Sequence, residues 1–525
     1  MVSFRRRITD VPAKSNMTEP SPTSRVSTGD QTLLSVAKGG GFLAAGSVFN
    51  YVSRFVVALV LARVLGVDDY GAYNLSVSLA FVLAGFGNLG LDAAMERYIA
   101  VFSGRGDGAS VRGTLRLGVV ASTVAGLVVA ATVYVLAPDV ATGVFDNRSL
   151  APLLRLVALF VPVLILTGLL AAAMRGFRRM DQSAFAEDFV QPLVRTIVIA
   201  GLAVVGFNAS VAVLVFGLSF VIALMALIML LRARLKDIKA APRVKEHMRE
   251  ISAFSFPFWL AGLLTQFRQN IQPVLLGAFN DVASVGIFSV ASSAHLISHT
   301  IYLSITKALR PTMAELIDTG DRSEMERLYR TTTRWTVTIS LPAFIVMVLY
   351  PEAILGLFGE SFEVGAAALV VLAFSELANA ATGTCGTVID MSGYNTVKVV
   401  NKFVWVGLSL GLNILLIPPF GIMGAAVAVF GATATIQIMR VVEVWVLARL
   451  HPYDRTILKP VAAAAIAFGP GWVIQRFIGP SGVFELLAAM VAVGAVYLGA
   501  LVILGLGDED RLVAQAIWRR ARPWK

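Results

Sequence analysis

Apolar stretches about 20 residues long alternate with short polar gaps along most of the chain. A helix of that length crosses the hydrocarbon core of a bilayer, at a rise of about 1.5 Å per residue. Backbone amides find no water at that depth, so helices are predicted; strands of a membrane barrel would alternate in polarity over about ten residues. Fourteen membrane-spanning helices are predicted, at about 41–62, 71–91, 114–136, 152–174, 189–207, 209–231, 253–277, 284–306, 333–350, 365–388, 400–418, 421–447, 457–476 and 482–506.

Positive charge follows the same alternation. Of the 44 Lys and Arg residues, 37 lie in the two tails or at every second gap, and the intervening gaps carry mainly Asp and Glu. Short loops rich in Lys and Arg stay in the cytoplasm. Both termini are therefore predicted to be cytoplasmic, in a multi-pass protein of the cell (cytoplasmic) membrane.

The composition agrees with a membrane protein and narrows its chemistry. The apolar fraction is 57%, the charged fraction is 15% and the mean hydropathy is +0.76, too apolar for a soluble protein of 525 residues. The net charge of +11 is spread over many cytoplasmic segments, which suits anionic lipid headgroups rather than nucleic acid. The chain has one cysteine, Cys385, and no CxxC, HExxH or phosphate-loop motif, so no metal, cofactor or catalytic residue is expected.

The membrane part is predicted to be duplicated. Shifts of 214 to 217 residues superpose similar residues at the same helix positions of two six-helix sets. The matched pairs include Leu61 with Leu276, Gly71 with Gly286, Tyr73 with Phe288, Ala93 with Ala308, Gly176 with Gly393 and Gly217 with Gly431. An even number of crossings gives both copies the same orientation, as in transporters that bind substrate between repeats. Chance similarity between apolar helices is the alternative for any single pair.

The expected fold is an all-α polytopic membrane protein with two pseudo-symmetric six-helix lobes and two further C-terminal helices. The expected segments are a disordered cytoplasmic tail at 1–40, an N-lobe of helices 1–6 at 41–231, a basic cytoplasmic linker at 232–252, a C-lobe of helices 7–12 at 253–447, helices 13 and 14 at 448–506, and a cytoplasmic tail at 507–525.

Arginines inside predicted spans are the main candidates for a binding site. A cation at mid-helix costs about 2.5–3.5 kcal/mol to insert, so it usually faces water or a partner. Arg54 and Arg268 occupy equivalent helices of the two halves, and their guanidinium groups suit phosphate oxygens. Snorkelling, or pairing with an acid such as Glu187 or Asp188, is the alternative. The polar residues expected to share the site are Asn50, Thr265, Gln272, Arg195 and Gln191.

A second group of polar residues could take up a proton or a cation during transport. His295 and His299 share one face of helix 8, and Glu376 and Asn379 lie one turn apart in helix 10. Histidines titrate near neutral pH, and an acid inside the membrane is a functional candidate. Hydrogen bonding between packed helices explains these residues equally well.

Three segments of the chain resemble a known family. They are VLLGAFNDVASVGIFSVASS (274–293), ALRPTMAELIDTGDRSEMERLYRTTTRWTVTISLPAF (308–344) and LNILLIPPFGIMGAAVAV (412–429). They are similar to the polysaccharide-transporter branch of the multidrug/oligosaccharidyl-lipid/polysaccharide (MOP) exporter superfamily. The resemblance implies a flippase that moves undecaprenyl- or dolichyl-pyrophosphate-linked sugars to the outer leaflet. In one departure, Gln272 replaces an acid that many members have before the glycine of the LLG motif, so a proton or cation role of that acid does not carry over.

These observations predict a flippase that translocates a polyprenyl-pyrophosphate-linked oligosaccharide by alternating access, for surface polysaccharide or glycan assembly. The pyrophosphate would be held by Arg54 and Arg268. The expected partners are the lipid-linked substrate, membrane lipids, a coupling H+ or Na+ and the glycan assembly machinery. An ion-coupled multidrug antiporter of the same superfamily is the main alternative, although arginines disfavour cationic drugs. A multi-pass glycan polymerase or ligase would need longer outer loops with catalytic acids, so no enzyme activity is expected.

Overall fold

The computed structural model describes residues 26–236, 238, 241, 243, 248–479 and 482–505. The side chains of 26–48, 295–305, 307, 308, 311 and 395 lie outside the described part, as do the predicted tail at 507–525 and residues 1–25. Among the described residues, those from Gly46 onward form one compact unit, and those before Gly46 belong to another. The described residues are almost entirely helical and include no strand, which confirms the all-α class.

Sixteen α-helices make up the described chain. They are α1 (Val26–Asn88), α2 (Leu91–Gly104), α3 (Gly108–Gly143), α4 (Leu150–Gly176), α5 (Met180–Ala184), α6 (Gln191–Leu202), α7 (Ala209–Leu235), α8 (Met248–Phe279), α9 (Val282–Thr319), α10 (Arg322–Leu349), α11 (Pro351–Gly356), α12 (Ala366–Thr382), α13 (Cys385–Met391), α14 (Asn395–Ala448), α15 (Leu458–Phe477) and α16 (Val483–Ile503). A π-helical segment joins α5 to α6, and 3-10 turns precede α12 and α15.

These helices make the fourteen predicted crossings. Nine of the described helices are long and apolar enough to span a bilayer. Two of them, α1 and α14, each bend back at a glycine, Gly66 with a φ of 72° and Gly421 with a φ of 52°, and so provide two crossings each. The remaining crossings are formed by α5 with α6, by α8 and by α9, which are shorter or more polar. Two of these three carry Arg195 and Arg268.

The same turn recurs at corresponding positions of the two lobes, as the predicted duplication requires. Gly106 and Gly320, 214 residues apart, have φ values of 71° and 72°. Each is followed by an aspartate, Asp107 or Asp321, that caps the next helix. Both carboxylates accept a hydrogen bond from the backbone amide three residues later, at 3.0 Å and 3.1 Å. The local structure therefore repeats along with the sequence.

The apolar core differs between the two ends of the bundle. At the end where α1 turns at Gly66, one cluster joins both lobes, with Leu75 from the N-lobe and Leu276 from the C-lobe. At the opposite end the lobes have separate clusters, one around Ile99 and one around Tyr329. There the start of α8 reaches across to α2. The lobes thus share one apolar cluster at the predicted outer end. At the predicted cytoplasmic end the two clusters are separate, and the one around Ile99 includes Ile251 from the start of α8.

Two helical segments lie outside the predicted crossings. α1 begins at Val26, before the predicted start of the first crossing at 41. α2 occupies the expected gap between crossings 2 and 3. Its apolar face packs on α4, and its charged residues interrupt the apolar run on which the prediction relied. α15 and α16 pack against α10 of the C-lobe.

Candidate functional site

Two arginines of the N-lobe lie well inside its membrane-spanning helices. Arg195, in α6, donates a hydrogen bond from Nη2 to the hydroxyl of Tyr73, and its guanidinium lies 5.8 Å from the centre of that ring and 5.5 Å from the ring of Phe216. Arg54, in α1, is exposed and near enough to Arg195 to be repelled by it. Arg54 precedes Gly66 by twelve residues, about 18 Å of helix. This N-lobe pair, Arg54 with Arg195, places two positive charges well inside the membrane-spanning part.

The acids that could have neutralised the N-lobe pair contact other groups. Both lie in the π-helical segment before α6. Glu187 accepts a hydrogen bond from Arg175 at 3.2 Å, and Asp188 accepts one from Asn50 Nδ2 at 3.1 Å. Among the described side chains, neither arginine of the N-lobe pair has a carboxylate within ion-pair distance. The pair therefore keeps its charge available to a ligand.

A second pair of arginines lies in the C-lobe. Arg268, in α8, is exposed, and its guanidinium stacks over the indole ring of Trp405 at 5.6 Å. Its charged neighbour is Arg440 in α14, which donates from Nη1 to Gln437 Oε1 at 3.3 Å. Arg268 precedes Asp281 by thirteen residues, about 20 Å of helix, and so lies at nearly the depth of the N-lobe pair. Arg268 and Arg440 form the C-lobe pair.

This arrangement differs from the expected clamp of Arg54 with Arg268. Each of these residues has an arginine of its own lobe as its charged neighbour. Arg440 was not among the site residues predicted from the sequence, and it lies eight residues inside the end of α14, about two turns. A cation within the predicted span 421–447 was the signal that could have identified it.

The other predicted binding residues are engaged within their own lobes. Gln191 donates to the hydroxyl of Ser219 at 3.0 Å, and the hydroxyl of Thr265 donates to a backbone carbonyl one turn back in its own helix at 2.9 Å. Gln272 donates to the hydroxyl of Ser409 at 3.4 Å. Both glutamines are buried. The two glutamine contacts join helices of one lobe, and Arg54 and Arg268 are the exposed members of the predicted binding set.

A line of side-chain amides connects two of the predicted proton or cation residues to the C-lobe pair. Asn379 donates to Glu376 Oε2 at 3.2 Å, and Gln437 donates to Asn379 Oδ1 at 2.7 Å. Gln437 in turn accepts from the guanidinium of the C-lobe pair at 3.3 Å. Glu376 is 1% exposed. His295 and His299 lie in α9, and their side chains are outside the described residues.

The segment between α11 and α12 closes the site from the predicted outer end. Arg63 Nε donates to a backbone carbonyl of this segment at 2.6 Å. The rings of Tyr70 and Phe362 meet edge to face with centroids 6.0 Å apart, and those of Phe55 and Phe358 do so at 5.6 Å. Phe55 follows the N-lobe arginine of α1 directly in the sequence, so the C-lobe segment reaches the immediate neighbourhood of the N-lobe pair.

The helices that cross at this end meet at two equivalent glycines. Gly71 lies in α1 and Gly286 lies 215 residues later in α9. A Cβ atom at Gly71 would overlap the carbonyl oxygen of Val282, and one at Gly286 would overlap that of Val67. Only residues without a side chain allow the two backbones to approach so closely. The two lobes are therefore sealed together at the predicted outer end.

The chain matches two family models. The polysaccharide biosynthesis protein model matches residues 36–317, more than half of the chain, and the MatE model matches residues 257–418. Stage V sporulation protein B of Bacillus subtilis is 22% identical over 509 residues, which cover 90% of this chain and 96% of that protein. "Probable flippase AglR" of Haloferax volcanii is 26% identical over 216 residues, which cover 40% of this chain and 43% of that protein.

Two solved structures share the fold. "Lipid II flippase MurJ, inward closed conformation" superposes with a TM-score of 0.70 at 14% identity, covering 88% of this chain and 98% of that one. An inward-facing multidrug resistance MATE family transporter of the MOP superfamily superposes with a TM-score of 0.61 at 14% identity, covering 74% and 92%. At such identities the likeness concerns the fold. The family match shows that the chain belongs to the polysaccharide biosynthesis protein family, and its apolar helices are those of a multi-pass membrane protein.

Proposed function

We propose that the protein is a flippase that translocates a polyprenyl-pyrophosphate-linked oligosaccharide by alternating access, for the assembly of a surface polysaccharide or another glycan. The observation that carries the proposal is the presence of two arginine pairs deep in the bundle, without an ion-pair partner among the described side chains. Family membership and the flippase names of a relative and of a protein with the same fold support it. The substrate changes sides without a change in its covalent bonds, so the protein acts as a transporter.

The pyrophosphate is assigned to the N-lobe pair. Arginine forks bind phosphate oxygens through paired, charge-assisted hydrogen bonds, and the hydroxyl of Tyr73 adds a polar group beside them. A bound dianion offsets the cost of keeping two cations inside the membrane. This assignment differs from the expected clamp of Arg54 with Arg268, because the positive charge that acts on Arg54 is that of Arg195. The sugars occupy the space between the lobes, and the polyprenyl tail stays in lipid.

Loading takes place from the predicted cytoplasmic end, where the apolar clusters around Ile99 and Tyr329 are separate and the described contact between the lobes is that of the start of α8 with α2. Release requires the seal at the opposite end to open. The described contacts of that seal are the shared apolar core, one hydrogen bond from Arg63, two aromatic pairs and the close approach of α1 and α9 at Gly71 and Gly286, here called the glycine crossing. No ion pair is among these described contacts. Contacts of this kind can break and reform during a transport cycle, because no buried charge is left unpaired when they separate.

Glu376 is proposed as the group that couples transport to a proton or to Na+. Its carboxylate is linked through Asn379 and Gln437 to the C-lobe pair, so a change in its charge alters the electrostatics of the binding region.

The proposal places the protein in the cell membrane with both termini in the cytoplasm. There, glycan assembly enzymes would supply the substrate. Reporter fusions to each terminus test the orientation, and an extracellular signal from either one would contradict it.

A transport assay tests the proposed function. Purified protein is reconstituted with a fluorescent undecaprenyl-pyrophosphate-linked oligosaccharide, and protection from a membrane-impermeant quencher reports its transfer between leaflets. Wild-type protein should speed the transfer, and Arg54→Gln or Arg195→Gln should slow it at least about tenfold, since hydrogen bonds to charged groups are worth about 1.5–3 kcal/mol. The matched control is Arg155→Gln, which removes an exposed arginine stacked on Tyr134 outside both pairs. Equal rates in all four proteins would contradict the proposal.

An ion-coupled multidrug antiporter is the second candidate. It is favoured by the MatE match over residues 257–418, which include the buried Glu376. The same vesicles distinguish the two, with ethidium as a cationic probe and an imposed pH gradient. Ethidium export that depends on Glu376, without transfer of the lipid-linked oligosaccharide, would establish the antiporter instead.

A further inference from the structure

We infer that the N-lobe has a binding site for the sugar next to the pyrophosphate, where a hexose stacks on Phe185 and Phe189 and is hydrogen-bonded by Asp188. The inference rests on the proposed function and extends it to the recognition of the glycan. It starts from exposed aromatic rings and a carboxylate that lie side by side on the π-helical segment before α6. Departures from α-helical geometry of this kind are frequent at functional sites.

Three phenylalanine rings form one surface at this segment, here called the aromatic platform. The rings of Phe185 and Phe189 are stacked, with centroids 6.1 Å apart and planes inclined by 18°. The ring of Phe49, in α1, lies 4.8 Å from that of Phe189. Phe185 is 43% exposed and Phe189 is 38% exposed, so both are accessible to a ligand. Aromatic side chains commonly line sites for small molecules, and the C–H face of a hexose ring is apolar enough to stack on them.

A carboxylate and an amide border the aromatic platform. Asp188 accepts a hydrogen bond at Oδ1 from Nδ2 of Asn50 at 3.1 Å. Asn50 follows Phe49 and Asp188 precedes Phe189, so this hydrogen bond and the ring contact join the same two helical segments. Oδ2 of Asp188 has no partner among the described residues. An ionised carboxylate only accepts hydrogen bonds, which suits the neighbouring hydroxyl groups of a hexose.

The depth of this polar contact indicates that the aromatic platform faces water. Asn50 precedes the turn at Gly66 by sixteen residues, about 24 Å of helix, and so lies within the roughly 30 Å of the hydrocarbon core. Asp188, which is bonded to it, is only half-buried. A carboxylate that is accessible at this depth faces a water-filled cavity, because contact with acyl chains is costly. The adjacent rings therefore border the same cavity.

The arginines of the N-lobe pair lie on the same helix faces, further toward the predicted outer end. Arg54 follows Asn50 by four residues in α1, which is about 6 Å of helix. Arg195 follows Asp188 by seven residues, which is two turns or about 10 Å. These offsets place the first sugar of a pyrophosphate-linked glycan beside Asp188, when the pyrophosphate is bound to the arginines. The sugar then lies on the cytoplasmic side of the pyrophosphate, from which loading is proposed.

The test compares the affinity of the purified protein for lipids with and without the sugar. Undecaprenyl-pyrophosphate-glucose, undecaprenyl-pyrophosphate-galactose and undecaprenyl pyrophosphate are titrated by fluorescence in detergent. Wild-type protein should bind at least one of the hexose lipids about tenfold more tightly than undecaprenyl pyrophosphate, because hydrogen bonds to a charged group are gained. Phe189→Leu keeps an apolar side chain without a ring and should lower this affinity ratio about fivefold. Asp188→Asn should lower it by a similar factor, because one acceptor oxygen and the charge are lost.

The matched control is Phe468→Leu. Phe468 lies in α15 and is 39% exposed, nearly the same as Phe189. Its affinity ratio should equal that of wild-type protein. Melting temperatures in detergent check that each variant is folded, and Phe185→Leu replaces Phe189→Leu if the latter is not.

The possible outcomes separate this inference from the proposed function. The inference alone is overturned if wild-type protein prefers neither hexose lipid, or if either site variant keeps the wild-type ratio. An equal loss of affinity for all three lipids in Phe189→Leu also overturns it, since the ring would then contact the lipid rather than the sugar. So does a ratio that falls as much in Phe468→Leu. Wild-type protein that binds none of the three lipids overturns the proposed function.

Discussion

Arg195 is held by one tyrosine in two ways. The hydroxyl of Tyr73 accepts a hydrogen bond from Nη2, and the ring of the same residue lies 5.8 Å from the guanidinium. Phe216 adds a second ring at 5.5 Å. These contacts orient the side chain and leave its other N–H groups to a ligand. Tyr73 is therefore a positioning residue of the N-lobe pair.

Replacing Tyr73 by phenylalanine should weaken transport without harming the fold. Phenylalanine fits this environment, because Phe288 occupies the matching position of the C-lobe and is buried there as well. We expect Tyr73→Phe to slow transfer of the lipid-linked oligosaccharide about fivefold, since one hydrogen bond that orients a charged group is lost. Transfer rates and melting temperatures are measured together. A wild-type rate in the variant would show that the hydroxyl does not orient Arg195.

Glu376→Gln should remove the pH dependence of transport. The amide keeps the hydrogen bond with Asn379 but cannot change its charge. Initial rates of wild-type protein and variant are compared across a pH series, with the same pH on both sides of the membrane. Wild-type rates are expected to vary with pH and those of the variant to stay flat. Parallel profiles would assign the titrating group elsewhere.

At the residue scale, the sequence predicts which charged residues lie within apolar spans. It does not predict which residues contact them in the folded protein. An arginine within an apolar run is visible in the sequence, and this was enough to single out Arg54, Arg195 and Arg268. Their neighbours come from helices more than a hundred residues away, so Tyr73 and Arg440 could not be assigned by spacing.

At the scale of elements, matching aspartates begin one helix in each lobe. Hydrogen bonds from the side chain and backbone amide of Ser110 lower the pKa of Asp107 below its ordinary value of 3.8. Hydrogen bonds from the backbone amide of Glu324 and the side chain of Ser323 lower the pKa of Asp321 in the same way. A carboxyl whose pKa is lowered by folding stabilises the protein above its unfolded pKa, and the effect is lost as pH falls through the folded pKa.

Replacing both caps should therefore change stability in a pH-dependent manner. Asp107→Ala with Asp321→Ala is expected to lower the melting temperature at neutral pH, because α3 and α10 each lose an N-cap. The difference from wild-type protein should shrink as the pH is lowered below about 4, where the wild-type carboxylates become protonated. Melting curves at a series of pH values test this. A constant difference at all pH values would contradict the assigned role.

The length of the apolar runs predicted most elements. The break at Gly66 falls between two predicted helices, and the break at Gly421 falls on the first residue of a predicted helix; a glycine with a positive φ ends the helix at each place. The helix α2 could not be found in the same way. Its stability depends on packing one apolar face against α4, which becomes available only in the folded lobe.

At the scale of the whole molecule, the glycine crossing controls how closely the lobes approach. Gly71→Leu places a side chain where the backbone of α9 lies, so the seal at the predicted outer end should loosen. With Cys385 replaced by serine, a single cysteine at Phe358, which is fully buried, reports the opening through its reaction with a membrane-impermeant thiol reagent. We expect the reaction to be several-fold faster in the Gly71→Leu background, an estimate based on the cost of overpacking.

The matched control for this crossing is Gly143→Leu. Gly143 ends α3 at the same end of the bundle, and a Cβ atom there would meet nothing within 4 Å. Its labelling rate should equal that of the parent protein. Equal rates for both glycine variants would mean that the crossing does not hold the lobes together.

The two-lobe organisation was predictable because duplication leaves matching residues along the chain, as Gly71 and Gly286 show. The end of the bundle at which the lobes are closed was not predictable from the sequence. It depends on contacts such as that of Arg63 with the segment between α11 and α12, which lies 294 residues away in the sequence.

The most direct test of the central claim is the binding of undecaprenyl pyrophosphate to the purified protein. Affinity is measured by fluorescence titration for wild-type protein and for variants Arg54→Gln, Arg195→Gln and Arg155→Gln, with undecaprenol as the uncharged probe. Wild-type protein and Arg155→Gln should bind the pyrophosphate with equal affinity, and each N-lobe variant at least about tenfold more weakly, while all four bind undecaprenol alike. Pyrophosphate binding that is unaffected by Arg54→Gln and Arg195→Gln would contradict the account.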